Sequence, residues 1–589
     1  MPLSKSLLTL FVVCMLSLTA GAQGLLNKTV RINVKDRPLA EVLTTISKQG
    51  HFYFSYLTTV LPQDSLVSIS ATDKTVRQVL DLLLDGDYIY KESGNYIILL
   101  KKTTGQNYYL VTGVVTDKST GQRLPNASVY ERTQLISTLT NNDGYFRLRL
   151  KDKYPTAAIS VSKDLYADTS LLLNTGRDQD VEVRISPTTY QLKTVDITGH
   201  QVEKRWFGKV FLSSRQKLTS LNIGAFFADK PYQFSLTPGL GSHGRMSGQV
   251  VNKFSFNLLG GYAAGVDGLE VGSIFNIVKH DMQYVQVAGI FNIVGGKTHG
   301  VQLAGVHNNV LDSMKGVQAS GLSNIIEGSM RGVQVSGVVG QVYKNMTGAQ
   351  VQGVIGIVRQ DMNGWQVAGI HNYNGGNMGG VQVSGITNYN RQDADGVQVA
   401  GAGNINRGVM KGVQIGSLFN YARRVDGVQI GLVNIADTVN GYSIGIVNIV
   451  RKGYKKVALY STDLLPLNVA WKTGGSKLYS ILLGGYQPGP YHRWAIGYGI
   501  GKRIPFNKVW SLTTEVTLQN LFQGSWNYKS ELYTLQPAIN VQLAKGVSLF
   551  AGPTFMVGEN GKENKVSSTY HYMQVDNRWL GWHAGISIF

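Results

Sequence analysis

The residue types that usually carry chemistry are present in this chain, but their spacing does not gather them into a reaction centre. His299, His307 and His371 are spread over several repeats of the sequence, without the short ligand spacings of a metal site. Asp393-Ala394-Asp395-Gly396 and Asp426-Gly427 have a calcium-loop look, yet with no further oxygen ligands at fixed offsets they read as polar turns before glycine. Gly484-Gly485 and Gly497-Tyr498-Gly499-Ile500-Gly501 lie in alternating apolar stretches, where close strand approach explains them better than phosphate binding. No nucleotide loop, zinc motif or Gly-x-Ser-x-Gly elbow occurs, and no pair of carboxylates can be assigned to glycan hydrolysis. Phe275, Phe291, Trp365, Tyr373, Tyr389, Phe419 and Tyr421 could stack on sugars, but covering an apolar core or meeting lipid is the simpler use. The expectation is a protein with no catalytic, cofactor-binding or metal-binding residues.

What the sequence does place at fixed spacing is an amide. A core of the form apolar-glutamine-apolar recurs with its marker at Glu270, Gln286, Gln302, Gln318, Gln334, Gln350, Gln366, Gln382, Gln398, Gln414, Gln429 and Ser443. The first nine steps are sixteen residues each, then fifteen, then fourteen. Such a period means one small unit stacked many times, each burying what its neighbour leaves open. In Val381-Gln382-Val383-Ser384-Gly385-Ile386-Thr387-Asn388-Tyr389 the first, third and sixth positions are aliphatic, and the phase slips at the glycine. That slip suggests a corner with an unusual backbone angle between two short strands. The reading puts Val381, Val383 and Ile386, with Val301 and Leu303 in an earlier unit, in an inward core. Gln302, Asn308, Gln382 and Asn388 become ladder residues, the asparagines capping backbone at a corner, and the variable seventh position faces outward. Two geometries satisfy the period: a coil of a β-solenoid, or one stave plus turn of a single large barrel.

The elements that must carry these repeats follow from the totals. At 589 residues the chain divides into several domains, and 69 glycines with 16% charged residues suit a strand-and-turn protein. Lys5, the apolar run Leu7 to Leu18 and Ala20-Gly21-Ala22 read as a secretory signal over residues 1–22, which would remove Cys14, the only cysteine. No later segment approaches the length of an apolar spanning helix, so entry into a membrane would require a closed β-barrel. The net charge of +20 is dispersed along the chain, which favours anionic glycans or lipid headgroups over nucleic acid.

Residues 24–101 read as an α+β domain: strands at 30–34, 52–54, 66–69, 88–90 and 96–100, with one helix opened by Pro38 and another from Thr75 to a stop at Gly86. The first helix presents Leu39, Val42, Leu43 and Ile46, the second Val76, Val79, Leu80 and Leu83. This order, with Lys35-Asp36-Arg37-Pro38-Leu39-Ala40-Glu41-Val42-Leu43 and Thr75-Val76-Arg77-Gln78-Val79-Leu80, resembles the short N-terminal domain of secretins and TonB-dependent receptors (the STN domain). The resemblance implies a periplasmic module that contacts partners such as an anti-sigma regulator or TonB.

Residues 108–187 read as a seven-stranded β-sandwich with a hairpin turn at Asn142-Asp143-Gly144. Gly113-Val114-Val115-Thr116-Asp117, Leu124-Pro125-Asn126-Ala127 and Asn142-Asp143-Gly144-Tyr145-Phe146 resemble the carboxypeptidase regulatory-like, transthyretin-like domain. In Bacteroidetes TonB-dependent outer-membrane receptors these two domains precede a plugged barrel. The connector here, residues 188–230, is too short for a plug.

Residues 231–266 are expected to be leading strands, 267–450 the sixteen-residue repeats and 455–589 barrel-like strands. The last group comprises 457–471, 478–486, 494–502, 510–519, 532–543, 547–557 and 580–589, with Tyr479, Tyr486, Trp494 and Trp510 as an interfacial girdle. Phe589 ends the chain as in outer-membrane barrels, although Trp582, Ala584, Ile586 and Ile588 are out of phase with it. The repeats loosely resemble surface-repeat proteins of Bacteroidetes and Leptospira. The expectation is a mainly β, multidomain, exported, non-enzymatic protein, in or on the outer membrane with its N-terminal domains in the periplasm, whose task is surface binding, signalling or passive passage, the alternatives being a TonB- or anti-sigma-linked transport or signalling component and a glycan-binding surface adhesin. Its expected partners are outer-membrane lipid, a periplasmic regulator or TonB through residues 24–101, or a glycan.

Overall fold

The computed structural model describes residues 24–56, 61, 63–84, 88–101, 108–188, 201–224, 226–489, 492–523, 528–560, 574–575 and 578–589. The signal segment 1–22 with Cys14, the helix stop at Gly86 and connector residues 189–200 lie outside the described residues. The chain packs as two units, one of residues 1–111, 149–157 and 172–180, the other of residues 112–148, 158–171 and 181–589.

In the first unit, helices Leu39–Gly50 and Val76–Leu83 bury the apolar faces read from the sequence, with Leu39, Val42, Leu43, Ile46, Val76, Val79 and Leu80 in one core. Thr75 caps the second helix in a reciprocal box with Gln78, each satisfying an otherwise free backbone N–H. The strands form two small sheets rather than one. Thr29–Pro38 pairs with Leu66–Thr75, and Tyr53–Ser55 joins the Tyr88–Ser93/Tyr96–Lys101 hairpin.

Seven strands between Tyr108 and Ile185 make a four-stranded and a three-stranded sheet. Alternation buries Val115, Val129, Phe146, Leu148, Ile159, Val161 and Val183. Residues 201–224, expected as mere connector, fold into short helices, including Trp206–Phe211 and Ser214–Asn222. Val202, Phe207 and Leu212 from this segment cover Phe275, Ile277 and Ile293 of the first coils, with Phe291 packed against the same cluster, so Phe275 and Phe291 serve packing.

The repeats form a β-solenoid of about twelve turns. Each coil has a long strand such as Met378–Ser384 and a short one such as Thr387–Asn390, and in these coils each strand residue pairs in parallel with its equivalent sixteen positions on. The solenoid starts earlier than expected: Ala228–Thr237 already pairs in parallel with Val250–Asn257, and that strand with Gly265–Gly272. The expected leading strands are therefore its first coils.

The last strands close separately into an eight-stranded antiparallel barrel: Tyr454–Thr462, Leu467–Gly474, Tyr479–Gln487, Arg493–Pro505, Trp510–Gln523, Tyr528–Ala544, Val547–Asn560 and Arg578–Ile588, the first pairing with the last. The expected single segment 457–471 is two staves joined at residues 463–466. Leu464 and Leu465 are buried in that turn, which has none of the glycine or asparagine that announces a hairpin. The apparent phase conflict at the terminus also resolves, because the final strand stops at Ile588 and Phe589 has a φ of 85°, outside the alternation.

Candidate functional site

The sequence fixes that glutamine and valine occupy opposite faces of the long strand, and the coil turns the glutamine inward. Gln302, Asn308, Gln382 and Asn388 are fully buried, while Leu303 is 38% exposed and Ile386 47% exposed. Val301, Val381 and Val383 are half-buried and point outward with them. The expected aliphatic core is thus corrected: these five residues form the skin. The sixth position is exposed in most coils, as at Leu322 and Leu418, whereas the seventh is half-buried in most of them.

The inversion costs little because exact stacking pairs most of the buried amides. Gln382 Nε2 donates to Gln366 Oε1 at 2.8 Å, and Gln382 Oε1 accepts from Gln398 Nε2 at 2.7 Å. Gln302 is held the same way between Gln286 and Gln318. The asparagine ladder runs in the opposite sense. Asn388 Nδ2 donates forward to Asn404 Oδ1 at 2.9 Å and spends its second proton on Val399 O. Asn308 does likewise toward Asn324 and Ala319 O. The two columns of amide dipoles therefore oppose one another, and each rung contributes about 1 kcal/mol.

The asparagine column fails at Gly340 and Gly356, and at Gly340 the side chain of Gln352 from the next coil takes the space. A Cβ on Gly340 would lie 2.0 Å from Gln352 Nε2, which donates to Gln334 O, while Ser336 Oγ donates to Gln352 Oε1. Glu270 ends the glutamine ladder, where its oxygens face the donors of Gln286, Asn257 and Ser255, and full burial pushes its carboxyl up to about 7.

Two glycine columns permit the tight stacking. Gly380 has a φ of 110° and a Cβ there would meet Gly364 O at 2.3 Å, while one on Gly385 would meet Gly369 O at 2.0 Å. The unusual backbone angle thus belongs to the glycine before Val381, and the corner glycine is there for close approach.

The barrel is inverted in the same sense. Its lumen holds Lys472, Tyr479, Thr513, Glu515, Thr517, Gln536 and His583. Lys472 Nζ donates to Glu515 Oε1 at 2.6 Å and Tyr479 OH to the same oxygen at 2.7 Å. Thr554 Oγ1 and His583 Nδ1 lie 2.9 Å apart, and Thr517 and Thr534 share a proton at 2.6 Å. The outer wall carries Leu459, Val469, Ile496, Val516, Leu535, Phe555 and Leu580, and Trp471, Tyr486, Trp510 and Trp582 also face out. Tyr479, expected in the girdle, instead fills the lumen, where its ring stacks on Tyr454 at 4.3 Å. An apolar hollow of about 890 Å³ bounded by Leu459, Leu467, Ile539, Leu549 and Ile586 indents the wall.

Among the described residues, no group of three His, Cys, Asp or Glu side chains could hold a metal ion. His307 and His371 instead contact Ser323 and Thr387, each at 2.8 Å in the following coil. Compared with known proteins, the chain matches no family model and no curated sequence.

Proposed function

We propose that this chain is a non-enzymatic outer-membrane protein whose barrel is a lipid-embedded anchor, whose solenoid is a binding surface and whose N-terminal domains contact periplasmic partners. The observation that carries the reading is the barrel's burial pattern, a hydrogen-bonded polar lumen behind an apolar wall, the reverse of a barrel stable in water. Eight strands leave room only for side chains, and Tyr454, Tyr460, Tyr479, Phe550 and His583 fill that room. Surface binding therefore fits better than passive passage. The export-signal pattern and the resemblance of residues 24–101 to the STN domain add the periplasmic side of the proposal, with an anti-sigma regulator or TonB as the partner class.

The test is gel migration of detergent-extracted full chain with and without heating. Faster migration of the unheated sample is expected, and a protein that stays monodisperse without detergent would overturn the anchor. Partner contact is tested separately by titrating the full chain in detergent with purified periplasmic domains of anti-sigma factors or TonB. Saturable binding lost on deletion of residues 24–101 supports it, and no binding at micromolar concentration removes it.

A further inference from the structure

Over much of its length the solenoid is built in two halves that obey opposite rules. Behind exposed bends such as Arg359-Gln360-Asp361 and Arg391-Gln392-Asp393, the core is apolar from Val310 to Met362, where Met314, Met330, Met346 and Met362 stack on Val310, Ile326, Val342 and Val358, and further along Asn374, Asn390 and Asn406 replace the valine column by a short buried amide ladder. At the other edge the skin is Val383 and Ile386 with their equivalents, and the core behind it is Gln382, Ser384 and Asn388. A charged skin over an apolar core is the arrangement water selects. An apolar skin over a largely hydrogen-bonded polar core is what hydrocarbon selects, and it is the pattern of the neighbouring barrel.

We propose that this apolar edge lies in the bilayer that holds the barrel, with the coils side-on in one leaflet and the charged edge in water. The inference rests on the barrel being membrane-embedded. Three further observations favour lipid as the occupant. The edge joins the barrel wall directly: outward-facing Tyr498 donates its hydroxyl to Gly445 O at 2.9 Å, beside a groove formed with Ile415, Ile430, Leu432 and Ile446. Twelve turns at ~4.8 Å make a stripe roughly 55 Å long, larger than a soluble monomer leaves open. Lastly, the stripe repeats one aliphatic column, as at Leu322, Val338, Ile370, Ile386 and Leu418, a uniform apolar surface that suits acyl chains.

The experiment uses the full chain with Cys14→Ser, since Cys14 is the only cysteine, carrying one reporter cysteine at a time. Leu322→Cys, Ile386→Cys and Leu418→Cys sample the edge, Asp393→Cys the charged bend and Leu535→Cys the barrel wall. Each labelled protein is reconstituted into phosphatidylcholine–phosphatidylglycerol vesicles with doxyl-lipid, or with iodide as the aqueous quencher. The expected result is doxyl quenching at the three edge sites comparable to Leu535→Cys and several-fold stronger than at Asp393→Cys. Quenching at Leu535→Cys but iodide access at the edge overturns this inference while leaving the anchor intact. Protection of the edge from both quenchers also overturns it, in favour of a second copy or a protein partner. No doxyl quenching at Leu535→Cys overturns the anchor itself.

Discussion

Replacing Gln382 by methionine and Ile386 by alanine separates an amide core from an aliphatic one. Gln382→Met keeps the side-chain length but orphans Gln398 Nε2 and Gln366 Oε1, which the native amide satisfies at 2.7 and 2.8 Å inside a fully buried column. Two buried groups left without partners cost roughly 1–3 kcal/mol each. Burial of the methionine side chain offsets about 2 kcal/mol. The net destabilisation is therefore about 2 kcal/mol, concentrated in the coils on either side because each contacts only its neighbours. Ile386→Ala removes a side chain that is already 47% exposed and leaves no internal cavity, so its cost stays below about 1 kcal/mol. The assay is denaturant unfolding of the full chain in mild detergent, followed by far-UV circular dichroism, comparing transition midpoints. A larger loss for Ile386→Ala than for Gln382→Met would refute the inward amide and restore the aliphatic core.

Other consequences follow from the same geometry. Glu270 holds its proton up to about pH 7 when folded, against about 4.5 when unfolded, so stability is fully present below the lower value and declines as pH rises through 7. At about 1.36 kcal/mol per pKa unit the decline is on the order of 3 kcal/mol, and Glu270→Gln should flatten that part of the stability–pH curve. Lys472→Met strands Glu515 in the barrel lumen and should cost about 3–5 kcal/mol, visible as a lower temperature for loss of the compact gel band. Adding Glu515→Leu should recover most of it. Gly340→Asn alone drives its side chain into Gln352 and should destabilise. Combined with Gln352→Ser it opens room for an asparagine rung beside Asn324 and should exceed the native protein by about 1 kcal/mol in the same unfolding assay.

The sequence by itself determined the local structure and the period. Helix faces such as Leu39, Val42, Leu43 and Ile46 were legible because a 3.6-residue stripe has a single way to be buried. The sixteen-residue spacing of Gln302, Gln318 and Gln334 demanded a stack, and strand alternation demanded that Gln382 oppose Val381 and Val383. Alternation is symmetric, however, and says only that two faces differ, not which one is inside. Reading aliphatic as inward assumes water outside and an unpaired amide within, and both assumptions are tertiary statements. In-register stacking brings identical amides within hydrogen-bonding distance across coils, which no single unit reveals, and so the polar face becomes the cheap one to bury. Barrel closure is likewise a tertiary fact. The pairing of Val457 with Ile588 joins residues from the two ends of the meander, and the eighth stave that makes closure possible hid behind a turn in which buried Leu464 and Leu465 kept the apolar run going and only Asp463 and Pro466 marked the break.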